Sequence, residues 1–293
     1  MKKILITGLN SYIGNKFEEW VSQWPNEYQV TKISVRNDDW KNQNWNIYDV
    51  VLNVAGIAHN SSDASLEELY YQVNRDLTVE LAGKAKIDEV KQFIHLSSMI
   101  VYGASKTENG MITIDTEPEP ANFYGDSKLQ GELGIIPLED DNFKIAIIRP
   151  PMIYGKGSKG NYPLLAKLAQ KTPIFPDFKN KRSMLYIDNL NEFIRLLINN
   201  GDHGIYHPQN EEYVVTSDLV RAIARVHNHK VLFTKITNPI INIMLNKVAI
   251  FKKIFGNQLY SKELSLYNNG NYIVNNFDES IKLTENFDGG GQK

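Results

Sequence analysis

The chain has no cysteine. That excludes disulfides, thiolate nucleophiles and cysteine-ligated zinc, so any catalysis must use other side chains. An excess of charge of either sign is missing too, with 32 basic residues against 34 acidic ones and a net charge of -2. Nothing global then favours nucleic acid, and an anionic ligand must be held by local groups; the expected partner is a small molecule. The start, Met1-Lys-Lys-Ile-Leu-Ile-Thr-Gly, offers only three apolar residues in a row. That is too few for a signal peptide or a membrane span, and it predicts a cytoplasmic protein with no stable membrane insertion. His59, His95, His203 and His207 show no metal-ligand spacing, so no metal site is expected. Repeats and low-complexity tracts are absent.

What is present is an ordinary globular composition, 42% hydrophobic and 23% charged, over 293 residues. Such a length supports one large or two modest domains. Strand-like and helix-like patterns alternate through the first half: strands over 3–6, 29–35, 49–54, 92–96 and 144–148, and helices over 13–23, 66–84 and 122–133. This rhythm predicts an α/β fold, a doubly wound parallel sheet of Rossmann type with helices on both faces. Residues 36–48 are too few and too polar for a full helix, so one crossover is expected to be abbreviated. After Arg149-Pro150-Pro151 the rhythm breaks into Gly-, Lys- and Pro-rich loops. The expected division is a dinucleotide-binding domain over 1–152, to which 184–207 returns, and a smaller interwoven α/β lobe over 153–293. Within that lobe the apolar-basic run Pro239 to Phe255 is expected to be a buried helix, with a helix lying on a membrane as the alternative.

Thr7-Gly8-Leu9-Asn10-Ser11-Tyr12-Ile13-Gly14 joins the first strand to the first helix. Glycines there let the backbone approach a pyrophosphate while the helix start offers free N–H groups, which makes Gly8, Asn10, Ser11, Tyr12, Ile13 and Gly14 candidate cofactor contacts. Ser11 stands where the middle glycine is expected, and a plain tight turn is the alternative. At the end of the second strand, Val35-Arg36-Asn37-Asp38 places Arg36 where a base meets a 2'-phosphate, which favours NADP(H). The alternative is NAD(H), with Asp38 or Asp39 on the ribose. Asn53, Ala55 and Gly56 close the third strand where a cofactor passes, and Asn74 can steady the backbone or a water near a catalytic lysine.

The Tyr-x-x-x-Lys spacing occurs four times, at Tyr12/Lys16, Tyr28/Lys32, Tyr102/Lys106 and Tyr124/Lys128. Only Tyr124/Lys128 follows a strand ending in Ser97-Ser98. Four residues apart on a helix, the two side chains share one face. Ser98, Tyr124 and Lys128 are therefore the candidate catalytic set: Ser98 orients a substrate oxygen, Tyr124 exchanges its proton, and Lys128 favours the ionised phenol and reaches the nicotinamide ribose. His59, just beyond Gly56, can face substrate.

With these residues assembled, the chain resembles the extended short-chain dehydrogenase/reductase family, of NAD-dependent epimerase/dehydratase type. The carriers are the motifs above together with Ser97-Ser98-Met-Ile-Val-Tyr102-Gly103, Arg149-Pro-Pro-Met-Ile-Tyr-Gly155 and Arg182-Ser-Met-Leu-Tyr-Ile-Asp188. The resemblance implies a Rossmann domain with Pro151 at the cofactor, a sugar-nucleotide lobe, and a homodimer. It also implies substrate contacts from Ser98, Met99, Asn161 and Arg182, the last two on the diphosphate. Sugar dehydratases of the family carry Asp-Glu after the serine; Met99 and Ile100 stand there, so dehydration is not expected. The stretches 159–165 and 179–183 resemble capsular-polysaccharide enzymes. The implied activity is NADP(H)-dependent reduction of the C4 keto group of a UDP-linked 2-acetamido-2,6-dideoxy-4-hexulose supplied by a partner 4,6-dehydratase. The alternatives are a UDP-hexose or UDP-N-acetylhexosamine 4-epimerase and, from another class, a noncatalytic NADP-binding regulator.

Overall fold

A computed structural model describes residues 1–58, 63–103, 108–245, 247, 248, 251 and 254–285. The chain divides into two compact units, one of Met1–Ser105, Asp115–Pro150 and Leu190–Pro208, the other of Lys106–Ile114, Pro151–Asn189 and Gln209–Lys293.

The first unit is built on six strands. Four are β1 (Lys2–Thr7), β2 (Tyr28–Ile33), β3 (Val50–Asn53) and β4 (Gln92–Leu96), and the others are Lys144–Ile148 and Gly204–Tyr206. Their spatial order is Gly204–Tyr206, Lys144–Ile148, β4, β3, β1, β2, and every pairing is parallel. A parallel sheet is covered on both faces, so its strands read as unbroken apolar runs. Ile4, Leu5, Ile6, Val51, Leu52, Phe93 and Ile94 are accordingly buried. Because β1 lies between β2 and β3, the chain leaves the carboxyl ends of β1 and β3 in opposite directions, which opens the crevice where such folds bind ligands.

The abbreviated crossover has a clear form. Residues 34–49 make neither a strand nor an α-helix, only a 3-10 turn at Asp38–Asn42. Trp40 and Trp45, 5.7 Å apart by ring centroid, fill the space instead and join Leu5, Val35 and Val51 in the core. Two indoles supply the apolar cover that a helix would otherwise provide.

Helix α1 (Tyr12–Val21) follows β1. The expected helix over 66–84 is found as α2 (Glu67–Tyr71), a π-helical turn at Gln72–Asp76 and α3 (Leu77–Ile87). Beside it runs α4 (Phe123–Ile135), capped by Asn122, whose side chain accepts from the Gly125 amide at 3.0 Å. The approach is close. A Cβ on Gly131 would stand 2.4 Å from the Asn74 carbonyl oxygen, and one on Gly125 2.8 Å from that of Ile100.

The second unit holds three short parallel pairs, Met152–Tyr154 with Met184–Tyr186, Ile174–Pro176 with Leu232–Thr234, and Met111–Ile112 with Leu259–Tyr260. Helices Asn161–Lys171, Thr216–Val226 and Phe277–Glu285 pack around them. At the centre Tyr154 stacks on Tyr162 at 5.3 Å and accepts a hydrogen bond from Asn210. The expectation of a buried helix from Pro239 is corrected. The helix is Asn238–Leu245, and while Ile241 is buried, Ile240 and Ile243 are 61% and 60% exposed. Apart from Asn238 and Asn242 its residues are apolar, so periodicity did not tell which of the isoleucines is seated. Among the described residues no helix is long and apolar enough to cross a membrane.

Two glycines test this packing in opposite directions. Gly131→Ala should destabilise the chain by about 1–3 kcal/mol through overpacking. Gly83→Ala, at a helical site where a Cβ meets nothing within 4 Å, should stabilise it by up to about 1 kcal/mol. Urea unfolding of both variants measures the pair, and equal shifts would contradict the packing described.

Candidate active site

The turn after β1 is shaped for close approach. Gly8 has φ +100°, a conformation other residues rarely adopt. Ser11, which replaces the expected middle glycine, caps α1 by accepting from the Gly14 amide. A Cβ on Gly14 would fall 2.9 Å from Ile6 Cγ2, so glycine is what lets the helix seat on the sheet. Asn10 is exposed, and Tyr12 and Ile13 open the helix half-buried. Across the crevice Thr7 donates to the Asn53 side-chain oxygen at 2.6 Å, and the same oxygen accepts from the Ala55 amide at 3.2 Å. The ends of β1 and β3 are thus one hydrogen-bonded unit with an open helix start beside it, which fits a dinucleotide pyrophosphate.

Asn74 sits within the π-helical turn, an irregularity frequent at functional sites. Its amide binds the Ile57 backbone twice, accepting from N–H at 3.0 Å and donating to the carbonyl at 3.1 Å, and donates also to Ser127 Oγ. A Cβ on Gly56 would lie 3.0 Å from Lys128 Nζ and 3.1 Å from Asn74 Oδ1. Gly56 therefore keeps a gap beside the lysine.

Helix α4 carries the Tyr124/Lys128 pair. Ser98 caps the 3-10 turn Met99–Tyr102 and hydrogen-bonds the Tyr124 hydroxyl. Burial raises the Tyr124 phenol above its ordinary value, while the bond to Ser98 opposes this. Lys128 is 5% exposed and donates to the Leu96 carbonyl at 3.1 Å. Burial lowers its pKa to about 8, with Glu132 pulling the other way. The sequence-based expectation was a phenol acidified by the neighbouring ammonium. Here burial wins, and Tyr124 is protonated at neutral pH. Tyr70 packs edge-on against it at 5.6 Å. His95 is a core residue: it is wholly buried, bonded to Asn53 through Nδ1, and kept neutral by burial and by Lys128.

Beneath this set lies a network that the candidate residues did not include. Glu132, with no exposed surface, accepts from Ser97 Oγ and from two nitrogens of Arg149, the shorter bond 2.6 Å. Arg149 also donates to the Tyr102 hydroxyl at 2.6 Å, which is 2.7 Å from His207 Nε2. Burial and Arg149 hold His207 down at about 3, so its ring accepts the tyrosine proton. The signal for Glu132 was available, since it stands four residues after Lys128 on the same helix face.

The first unit thus brings together Gly8 to Gly14, Asn53, Ala55, Gly56, Asn74, Ser98, Met99, Tyr124 and Lys128. Arg36 belongs to it as well, exposed just past β2, and its guanidinium forms no ion pair or hydrogen bond among the described residues. Pro151, Asn161 and Arg182 are in the second unit. There Asn161 and Arg182 line one pocket with Leu164, Met184, Val214 and Thr216. Burial lowers the Arg182 pKa, and its backbone bridges to Val214. His59 lies outside the described residues.

Two outcomes follow. Glu132→Ala leaves Arg149 buried without its counter-charge and should cost about 3–5 kcal/mol in urea unfolding. Lys128 is charged below about pH 8 and neutral above it, so binding of a reduced nicotinamide dinucleotide followed by fluorescence should weaken about threefold to tenfold as pH rises through that value. Lys128→Met should flatten this dependence, and a wild-type affinity constant from about pH 7 to 9 would contradict it.

Comparison with known proteins gives the family. The chain spans 56% of the length of a Vibrio cholerae UDP-glucose 4-epimerase, with 32% identity over 183 residues that make up 60% of this chain. It is 28% identical over 251 residues to an N-acetyl-alpha-D-glucosaminyl-diphospho-ditrans,octacis-undecaprenol 4-epimerase of Escherichia coli O157:H7, covering 78% of this chain and 73% of that one. In fold it is similar to a UDP-glucuronic acid 4-epimerase from Bacillus cereus in complex with NAD, with a TM-score of 0.71, 17% identity and 97% of each chain covered. The model of the NAD dependent epimerase/dehydratase family matches residues 4–215. With more than half of its length matched, the chain belongs to the NAD-dependent epimerase/dehydratase family.

Proposed function

We propose that the chain uses NADPH to reduce the C4 keto group of a UDP-linked 2-acetamido-2,6-dideoxy-4-hexulose made by a 4,6-dehydratase. The product is a UDP-N-acetyl-6-deoxyhexosamine, such as UDP-N-acetylfucosamine, for a surface polysaccharide. The observation that carries this reading is the uncommitted Arg36. Asp38 is paired with Lys41 at 2.9 Å and Asp39 with the Asn37 amide, so the acids that would serve a free ribose are engaged while the guanidinium is not. A guanidinium grips phosphate oxygens at two points, which suits a 2'-phosphate.

A bound reduced nicotinamide supplies the hydride. The chain's own part is the proton and the geometry: Tyr124 gives its phenolic proton to the C4 oxygen, Ser98 orients that oxygen, and the Lys128 ammonium holds the cofactor ribose. Reduction begins from the protonated phenol, the form that burial of Tyr124 favours. Asn161 and Arg182 are assigned to the diphosphate, and a homodimer belongs to the same reading.

A 4-epimerase is the second reading, favoured by the stated activity of both relatives. One of them acts on an undecaprenol-linked sugar, which places a lipid diphosphate beside UDP as a carrier. An epimerase keeps its cofactor oxidised at the start and needs Tyr124 as the phenolate.

The test is nicotinamide absorbance with the 4-keto product of a UDP-N-acetylglucosamine 4,6-dehydratase. NADPH should be oxidised in preference to NADH. Arg36→Ala should raise the KM for NADPH by about tenfold and leave that for NADH nearly unchanged. Tyr124→Phe should abolish turnover with NADPH binding retained. If neither cofactor is oxidised and UDP-sugars interconvert without reductant, the chain is an epimerase.

A further inference from the structure

The net charge of -2 hides a strong segregation. Between Asp218 and Glu263 the sequence holds eight Lys or Arg residues and no Asp or Glu. Within and beside this stretch the second unit exposes several large apolar side chains. Leu232, 64% exposed, is the register partner of Ile174, 54% exposed, at the start of their short strand pair. Ile236 follows four residues later at 86%, and then Ile240 and Ile243 on the outer face of the helix Asn238–Leu245. Ile240 and Ile243, three residues apart on that helix, share one face, and Ile236 stands in the turn that leads into it. The helix is tied to the strand pair, because Asn238 donates to the Asp177 carbonyl at 3.0 Å and the Asp177 amide to the Thr234 carbonyl at 2.8 Å. Ile241 points the other way and is buried.

Basic residues accompany these side chains. Lys230, Lys235 and Lys247 are exposed, and none forms an ion pair among the described residues. Exposed apolar side chains in a stretch of uncompensated lysines combine the two attractions that hold a chain to an anionic bilayer without crossing it: burial of side chains at the headgroup boundary and attraction of lysines to lipid phosphates.

We propose that this face, formed by Ile174, Leu232, Ile236, Ile240 and Ile243 with Lys230, Lys235 and Lys247, docks on the surface of an anionic phospholipid membrane. Docking of this kind is peripheral and does not depend on which hydride reaction the first unit performs.

The experiment is co-sedimentation of the full chain with vesicles of equal parts phosphatidylglycerol and phosphatidylcholine, against vesicles of phosphatidylcholine alone. The chain should sediment with the anionic vesicles and stay in solution with the neutral ones, and high salt should release it. Ile240→Ser/Ile243→Ser should weaken binding by about tenfold or more through lost apolar burial. Lys235→Glu/Lys247→Glu should do so by on the order of tenfold through charge. All four positions are exposed, so both variants should keep the wild-type melting temperature and circular dichroism. Failure to sediment with anionic vesicles overturns the proposal, as does sedimentation that neither variant changes. A concentration-dependent dimer that Ile240→Ser/Ile243→Ser dissociates would overturn it too, by showing that a second copy covers the face.

Discussion

The site depends on one buried ion pair. A carboxylate with no exposed surface and a guanidinium almost as enclosed survive in the core only because each meets the other with good geometry and the remaining lone pairs are used. Glu132 belongs to α4, Arg149 to the end of the strand Lys144–Ile148, and Ser97 to the end of β4. Three elements separate in sequence are fixed together at one point. Ser98 follows Ser97 directly, and Tyr124 and Lys128 lie two turns and one turn before Glu132 on α4. The position of the candidate catalytic hydroxyl relative to the phenol and the amine is therefore inherited from the pair.

Burial also sets the protonation states. It pushes the Lys128 ammonium down to about 8 and the Tyr124 phenol up, so both groups are drawn toward their neutral forms. Glu132 resists this for the lysine, being one turn away with its charge already shared with Arg149. The balance leaves Lys128 charged at neutral pH with little margin, while Tyr124 keeps its proton. Proton donation to a carbonyl oxygen suits that starting state; removal of a proton from an alcohol would first require the phenol to ionise.

Much of this was legible in sequence, and what was not has physical causes. The alternation of strands and helices gave the parallel sheet, since continuous apolar runs are what a two-sided sheet demands. The Gly8 to Gly14 turn was readable even with Ser11 inside it, because a serine at that point caps the helix that a glycine would only have admitted. The π-helical turn around Asn74 was not readable, because the same polar and apolar residues satisfy an uninterrupted helix, and the turn lies where α4 comes close at Gly131, a long-range contact that no local pattern shows. Nor was the role of Trp40 and Trp45, since tryptophan in a short polar segment carries no periodicity. The spacing put Glu132 beside Lys128, but its residue type gave no sign of its burial. An acidic residue on a helix is ordinarily solvated, and only the arginine arriving from 17 residues away makes its burial tolerable.

Charge gives a parallel lesson about scale. The whole-chain balance argues against a polyanionic partner, and at the level of the whole chain that argument holds. A surface, however, responds to charges within about a Debye length, ~10 Å at ordinary salt, rather than to a sum over 293 residues. The stretch after Asp218 has its acids removed while Asp278 and Glu279 open the helix Phe277–Glu285, so the second unit is sorted by sign along its sequence. Sorting of this kind opposes the fold's own interest, since interspersed charges would pair and cost less. An external surface of opposite charge would supply the missing counter-charge, and the exposed Ile236, Ile240 and Ile243 in the same stretch are the side chains that the proposed docking would bury just beneath it.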